Sequence, residues 1–122
     1  MTTDLPAGRE LDALVAEKVM DDPVDRQIVD EHGFEIILCR SHLVLPRYST
    51  DIAAAWTVVE KLDTDLWLIQ VTRKTGMNEM SLRWWVELRS LKDLARDPFE
   101  VAGDTAPLAI CRAALKAVEG KP

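Results

Sequence analysis

The sequence lacks the long apolar run of a membrane-spanning helix, which requires about 20 consecutive apolar residues. It also lacks a basic N-terminal region followed by an apolar stretch, so we expect no secretory signal peptide. Cysteine is scarce, and we interpret the two cysteines, Cys39 and Cys111, as small core side chains and not as a disulfide. These absences predict a protein of the reducing cytoplasm that has no membrane partner.

Signatures of metal binding and catalysis are missing too. Cys39 and His42 have the C-x-x-H spacing, but no CxxC or HxxxH pair is present to complete a zinc site. The chain contains no glycine-rich phosphate loop and no nucleophile elbow around its serines. We therefore predict no metal site, no cofactor and no catalytic residue, and we expect that the protein is not an enzyme.

An excess of basic residues is absent, since the formal net charge is -6. Residues 1–35 contain ten acidic and three basic residues, whereas residues 36–100 contain nine of each. This distribution argues against duplex nucleic acid as a partner, but it leaves room for a local group of arginines in the middle of the chain. The hydrophobic fraction of 48% and the charged fraction of 30% are typical of a folded protein, and we predict a single domain, 1–122.

Three segments carry apolar residues at the spacing of an amphipathic helix. The first is Gly8–Met20, the second follows an N-cap at Thr50 or Ser49, and the third begins near Thr105. The second segment has the cleanest apolar stripe, which we expect to lie in the core. Its members are Ile52, Ala55, Trp56, Val59 and Leu62.

Three further segments are predicted to be strands. Phe34–Cys39 is short and apolar, and we expect the chain to continue extended as far as Pro46. Asp65–Thr72 is apolar on both faces, which is typical of a central strand that is covered on both sides. Met80–Arg89 alternates strictly, and we expect it to pair with the preceding strand through a loop around Gly76.

The order helix, strand, helix, strand, strand, helix predicts an α+β protein with a small, mostly antiparallel sheet and three main helices. The polar stretch 24–33 is predicted to be a loop, and residues 90–104 are expected to contain a short helical turn and a loop. A sheet with two apolar faces needs helices on both sides, or a partner subunit on one side. We therefore expect a homo-oligomer.

The segment RYSTD is the first candidate binding site. A helix N-terminus offers unpaired N–H groups and a partial positive charge. Arg47, Tyr48, Ser49 and Thr50 place a guanidinium, a phenol and two hydroxyls just before it, which suits an anion or a phosphate. The alternative is a capped helix start, in which Asp51 repels a phosphate and serves the helix dipole instead.

The second candidate is one face of the last predicted strand, where Arg83, Trp85 and Arg89 alternate with apolar residues. Arginine beside an aromatic ring suits a stacked base and a phosphate contact. The alternative is an amphipathic strand whose arginines pair with Glu87 and whose tryptophan lies under a helix or at a subunit contact. The residues alone leave both interpretations open.

Three stretches, in the same order and at suitable separations, resemble phage and prophage proteins that carry a phage ABA-sandwich domain. They are GRELDALVAEKVM (8–20), PRYSTDIAAAWTVVEKL (46–62) and APLAICRAALKAVEG (106–120). The resemblance implies an α-β-α layered sandwich within the α+β class, and a small accessory protein in the cytoplasm of a bacterial host. No activity and no cofactor is carried over from it. It does suggest that the hydroxyls and charges of RYSTD do more than pack.

Two functional hypotheses follow. The first is a non-enzymatic phage accessory protein that sequesters a small anionic ligand, such as a nucleotide signal of host immunity, by analogy with other small phage proteins. The residues expected to bind that ligand are Arg47, Tyr48, Ser49, Thr50, Arg83, Trp85 and Arg89. The second is a protein-interaction or assembly module without a small-molecule ligand, whose partner is a host or phage protein.

Overall fold

The computed structural model describes residues 5–75 and 82–119. In chain order the elements are α1 (Arg9–Lys18), β1 (Val24–Val29), β2 (Glu35–Cys39), α2 (Ile52–Thr64), β3 (Trp67–Thr75), β4 (Leu82–Ser90), β5 (Phe99–Gly103) and α3 (Ala106–Glu119). β1 and β2 form a two-stranded antiparallel sheet, and β3, β4 and β5 form a three-stranded antiparallel sheet in that order. The predicted α+β class with three main helices is confirmed, and the small antiparallel sheet that we predict is present as two separate sheets. Within 5–75 and 82–119 no helix has the length and apolar character needed to cross a membrane.

The core is organised around α3, which packs against α1, α2, β4 and β5. Small residues allow this close packing, and Gly103 at the end of β5 shows how tight it is. A Cβ atom at Gly103 would lie only 2.7 Å from the backbone nitrogen of Ala109 in α3. The helix starts where the sequence predicts, because the hydroxyl of Thr105 accepts a hydrogen bond from the N–H of Leu108 at 3.3 Å.

The three-stranded sheet presents one face to the helices. Val86 and Leu88 of β4 are buried against α3, so the alternate residues of β4 point to the opposite side. β3 is an edge strand, and Leu68 is 57% exposed. The prediction of a central strand covered on both faces is therefore wrong, because β5 extends the sheet beyond β4 and leaves β3 at the edge. We call the side turned away from α3 the open face. Its residues are Leu68, Gln70, Thr72 and Lys74 of β3, Arg83, Trp85, Glu87 and Arg89 of β4, and Glu100 and Ala102 of β5.

Two strands occur where the periodicity predicts none. β1 corresponds to a predicted loop, but it pairs with β2 although all its residues are exposed. β5 lies within 90–104, for which the pattern predicts a helical turn and a loop, and it pairs with β4 in continuous register. Both strands depend on backbone hydrogen bonds to a neighbouring strand and show no clear burial period of their own.

The chain also departs from prediction after β2, where it turns back instead of continuing extended to Pro46. The N–H of His42 donates to the carbonyl of Cys39 at 2.9 Å, and His42 has a positive φ of 72°. Leu38 and Val44 then form an antiparallel bridge. This reversal delivers the segment RYSTD to the start of α2.

α2 buries a different stripe from the predicted one. Ala55, Val58 and Leu62 are buried against the rest of the core, whereas Ile52 and Trp56 are each 54% exposed. Helical spacing identifies the apolar side of the helix correctly, but α3 and β3 cover only part of that side. Ile52 and Trp56 are therefore surface residues, and the prediction that they pack in the core is wrong.

Three predicted features lie outside the described residues. They are the turn around Gly76, the beginning of the last predicted strand at Met80, and the helix end at Gly120. β3 pairs with β4 from Thr75–Leu82 to Trp67–Ser90, so the predicted antiparallel pairing of these two strands is confirmed.

Candidate functional site

The segment RYSTD is attached to α1 through a buried carboxylate. Oδ1 of Asp12 accepts hydrogen bonds from the backbone N–H of Ser49 at 2.8 Å and from its hydroxyl at 2.6 Å. Both side chains are inaccessible, with Asp12 1% and Ser49 0% exposed. The Arg9 guanidinium lies 3.3 Å from the other oxygen of Asp12, and the N–H of Gly8 donates to the Ser49 hydroxyl at 2.9 Å. The hydroxyl of Ser49 is therefore used to join α1 to the loop before α2.

The helix that follows is capped by Asp51. Its carboxylate accepts a hydrogen bond from the N–H of Ala53 at 3.0 Å, and its backbone is extended, as an N-cap requires. The prediction of a cap at Thr50 or Ser49 is wrong by one or two positions, since aspartate caps a helix as well as serine does. The carboxylate also occupies the place where an anion would bind this helix start.

Tyr48 belongs to the core of the protein. It is 5% exposed, and burial, helped by the nearby Cys39, raises its pKa from 10.0 to about 12. Burial likewise raises the pKa of the Cys39 and Cys111 thiols, which belong to the same core. Of the four predicted ligand residues in this segment, only Arg47 and Thr50 have exposed side chains.

The open face carries the second predicted set, with Trp85 near its middle. The indole N–H of Trp85 donates to the carbonyl of Lys74 at 3.3 Å, and the Lys74 ammonium lies 5.4 Å from the ring centroid. Lys74 also forms an ion pair of 2.9 Å with Glu100, and Arg83 lies 3.7 Å from Asp104. Cations and carboxylates therefore surround a half-buried tryptophan.

The structure does not bring the two predicted sets together. The neighbours of Tyr48 and Ser49 come from α1, β2 and α3, whereas Trp85 and Arg89 lie on the sheet face that points away from α3. Arg89 lines a shallow groove of about 430 Å³ on the open face. The other residues of this groove are Leu68, Ile69, Gln70 and Glu87.

A third cluster lies where the sheet meets the C-terminal half of α3, and we call it the basic corner. Its residues are Trp67, Lys92, Arg96, Phe99 and Lys116. The Trp67 and Phe99 rings meet edge to face, with centroids 6.0 Å apart. The Arg96 guanidinium lies 5.4 Å from the Trp67 centroid and 5.9 Å from that of Phe99, and the Lys116 ammonium lies 5.0 Å from Phe99. Each of the two cations therefore lies close to an aromatic ring of this cluster.

A cavity of about 200 Å³ opens at the basic corner. The Ser90 hydroxyl accepts a hydrogen bond from the N–H of Asp93 at 3.2 Å, and its own proton has no acceptor among the described residues. The carboxylate in the lining, Asp65, lies 3.6 Å from the Lys61 ammonium. Its lining consists of Leu62, Asp65, Trp67, Ser90, Lys92, Arg96 and Val118. The cavity therefore offers more positive than negative charge, together with one hydroxyl donor.

The sequence contains only weak signals for the basic corner. Lys92 and Arg96 are four positions apart in a segment that shows no clear period, and Lys116 suits the C-terminal end of a helix. Trp67 and Phe99 are brought together because β3 and β5 both pair with β4. Since the sequence pattern does not predict β5, it cannot predict this contact. The cluster is a product of the tertiary structure.

The predicted absence of a metal site can be compared with the geometry of Cys39 and His42. Cys39 is buried and belongs to the core, whereas His42 is exposed. Across residues 5–75 and 82–119, no three His, Cys, Asp or Glu side chains come together in a way that could hold a metal ion.

Comparison with known proteins places the fold in a family. The family model described as Phage ABA sandwich domain matches residues 13–115, which run from α1 into α3 and include both sheets and α2. Searches of curated proteins and of solved structures found no match. Because the matched region covers most of the chain, this protein belongs to the phage ABA-sandwich domain family.

Proposed function

We propose that this protein is a phage accessory protein that binds a small anionic ligand at the basic corner and does not transform it. The observation that carries the proposal is the position of Arg96 over both Trp67 and Phe99 at the edge of a cavity that also contains Lys92. A cation that is held by aromatic faces keeps its charge and its fixed direction. Together with Lys92 it gives the cavity a positive charge, which attracts an anion.

The size of the cavity defines the part of the ligand that enters it. A volume of about 200 Å³ is smaller than the roughly 300–1,000 Å³ of a typical drug-sized ligand site. A phosphate group fits, whereas a whole nucleotide would have to leave its sugar and base outside. Arginine recognises phosphate through two parallel hydrogen bonds and lysine recognises it as a point charge, and the Ser90 hydroxyl adds a donor. The favoured ligands are therefore nucleotides and other phosphate esters.

The chemical character of the corner supports binding without catalysis. Its ionisable groups are mainly cations, and the carboxylate of Asp65 is close to Lys61. The buried hydrogen-bonding group formed by Asp12 and Ser49 serves the fold. Sequestration of a ligand needs a tight, charged site and no nucleophile, which agrees with this arrangement.

Isothermal titration calorimetry with inorganic phosphate, ADP-ribose and cyclic dinucleotides tests the proposal. Lys92→Gln and Arg96→Gln are expected to weaken the binding of a phosphate ester about tenfold each, the usual loss for a charge-assisted hydrogen bond of about 1.5 kcal/mol. Arg47→Gln and Arg89→Gln remove exposed arginines elsewhere and should leave affinity unchanged. If these probes do not bind at millimolar concentration, ligand binding is rejected. If only Arg47→Gln weakens the binding of a phosphate ester, the ligand binds at the segment RYSTD and not at the basic corner.

The open face favours a second candidate function, which is recognition of a host or phage protein. Trp85 and two arginines lie on it beside the exposed Leu68, and tryptophan and arginine dominate the energetics of protein interfaces. Leu68→Ser combined with Arg89→Ala should then abolish co-purification of a specific partner from infected cells. Lys92→Gln should leave that co-purification intact, which separates this function from ligand binding.

A further inference from the structure

We infer that the outer edge of β3 pairs with the same edge of a second copy of this chain, so that two three-stranded sheets become one. β3 is nine residues long and lies at the edge of its sheet, and its pairing with β4 has no bulge. Its first six residues, 67–72, carry no charge. A long, regular edge strand whose first six residues are uncharged offers unpaired backbone groups to another strand.

The opposite edge of the sheet is protected in the way that edge strands of monomers are. β5 has only five residues, and one of them is Glu100. A strand this short discourages edge-to-edge pairing, because it offers few backbone groups to a partner strand. The contrast between the two edges therefore singles out β3.

Beside the edge of β3 lies a groove of about 460 Å³ between this strand and α2. Trp56, 54% exposed, and Leu68 lie along it, so the groove presents apolar surface to solvent. Glu60 and Asp63 give the α2 side of the groove a negative charge. An occupant of matching chemistry is apolar in its middle and basic at one end.

β3 itself has that chemistry, which is why the occupant is a second copy. In an antiparallel pair centred on Gln70, Ile69 of one copy faces Val71 of the other, and Trp67 faces Arg73. Directly opposite residues share a face of the sheet, so Arg73 arrives on the same side as α2. It then lies beside the acidic groove of the partner copy.

Twofold symmetry makes each of these contacts occur twice. Arg73 of each copy meets the acidic side of the other, and the two Arg73 side chains stay at opposite ends of the paired strands. Each copy carries the basic residue and the acidic groove that binds it on the same surface. Such a self-complementary surface is typical of an isologous dimer. Within one copy, Arg73 lies 5.4 Å from the Trp84 ring, which holds it on the helix-facing side of the sheet.

Sedimentation equilibrium of the intact chain is expected to show a dimer. The double variant E60K/D63K reverses two exposed charges and should weaken dimerisation about tenfold or more through like-charge repulsion with Arg73. R73E alone should weaken it likewise, and the combination of all three changes should restore it. The matched control E17K/D25K reverses two exposed acids on α1 and β1 and should leave the dimer unchanged.

A cross-linking experiment tests the register separately. Gln70 faces its own copy across the twofold axis, so Gln70→Cys should form a disulfide-linked dimer in mild oxidant, because opposite Cβ atoms on paired strands are about 4.5–5.5 Å apart. Thr75→Cys places the two thiols at opposite ends and should give none. A chain that remains monomeric at all concentrations, or a dimer that is unaffected by both charge reversals, overturns the inference.

Discussion

Replacing Asp12 by alanine removes the acceptor of two hydrogen bonds from Ser49 and the partner of the Arg9 guanidinium. The N–H of Ser49 then has no acceptor in a site that is closed to water. The Arg9 guanidinium is partly exposed and stays hydrated, so the cost comes from the two buried donors of Ser49, at about 1–3 kcal/mol for each donor left unsatisfied. Domains of this size are stable by about 5–15 kcal/mol, so we expect a large loss of stability with the fold retained at low temperature.

A double-mutant cycle measures the interaction energy between the side chains of Asp12 and Ser49. Ser49→Ala removes only the hydroxyl, and the N–H of residue 49 still donates to Asp12, so we expect a smaller loss of about 1.5–3 kcal/mol. If the two side chains act through one another, Asp12→Ala combined with Ser49→Ala costs less than the sum of the single changes by about 1 kcal/mol or more. Urea unfolding followed by the fluorescence of the four tryptophans measures each free energy.

Thr50 supplies the matched control for this cycle, since its hydroxyl is exposed and adjacent in sequence. Thr50→Ala should change the free energy of unfolding by no more than about 0.5 kcal/mol. If Ser49→Ala is as mild as Thr50→Ala, or if the effects of the Asp12 and Ser49 changes simply add, the buried hydrogen bonds do not stabilise the fold as we argue.

Three further predictions concern other parts of the fold. Asp51→Ala should lower the free energy of unfolding by about 1 kcal/mol through loss of the N-cap of α2, and a loss no larger than that of Thr50→Ala would contradict this assignment. Tyr48, the only tyrosine of the chain, should titrate at about pH 12 in the folded protein, against 10.0 for its ordinary pKa. Between these values the unfolded chain loses a proton that the folded chain keeps, so the stabilising contribution is complete below pH 10.0 and disappears as the pH rises to about 12. Tyrosinate absorbance measures this, and a native midpoint at 10.0 would refute it. Gly103→Ala should destabilise the protein in thermal unfolding by about 1–3 kcal/mol, because its Cβ would meet Ala109; unchanged thermal stability would show that the sheet and α3 can move apart.

Periodicity in the sequence predicts the elements that have a buried face. The three helices and the β3–β4 hairpin are identified because one side of each is more apolar than the other. β1 and β5 escape detection because their pairing depends on backbone groups, which are the same in every sequence. Ile52 and Trp56 show a different limit, since spacing identifies an apolar side but cannot show how much of it the neighbouring elements cover.

The candidate sites show the same division between local and tertiary information. Chemical types in RYSTD are visible in the sequence, but the acceptor for Ser49 is Asp12, which lies 37 positions earlier and resembles an ordinary first-turn acid. The basic corner unites Trp67 with Phe99 through two strand pairings. Local patterns therefore predict which residues have side chains suited to binding. The tertiary contacts determine which of these side chains are used within the fold and which remain accessible to a ligand.

The packing of α1 on α3 has a consequence for how the chain is made. Leu11 and Val15 are buried, and α1 packs against the element that follows all the others described. Arg112 of α3 also donates to the carbonyls of Leu5, at 3.2 and 3.3 Å, and of Ala102, at 3.2 Å. A ribosome releases α1 first, yet its apolar stripe stays uncovered until α3 has emerged. Folding of this domain must therefore wait until α3 has been synthesised, and a product that stalls before α3 remains a substrate for chaperones and proteases.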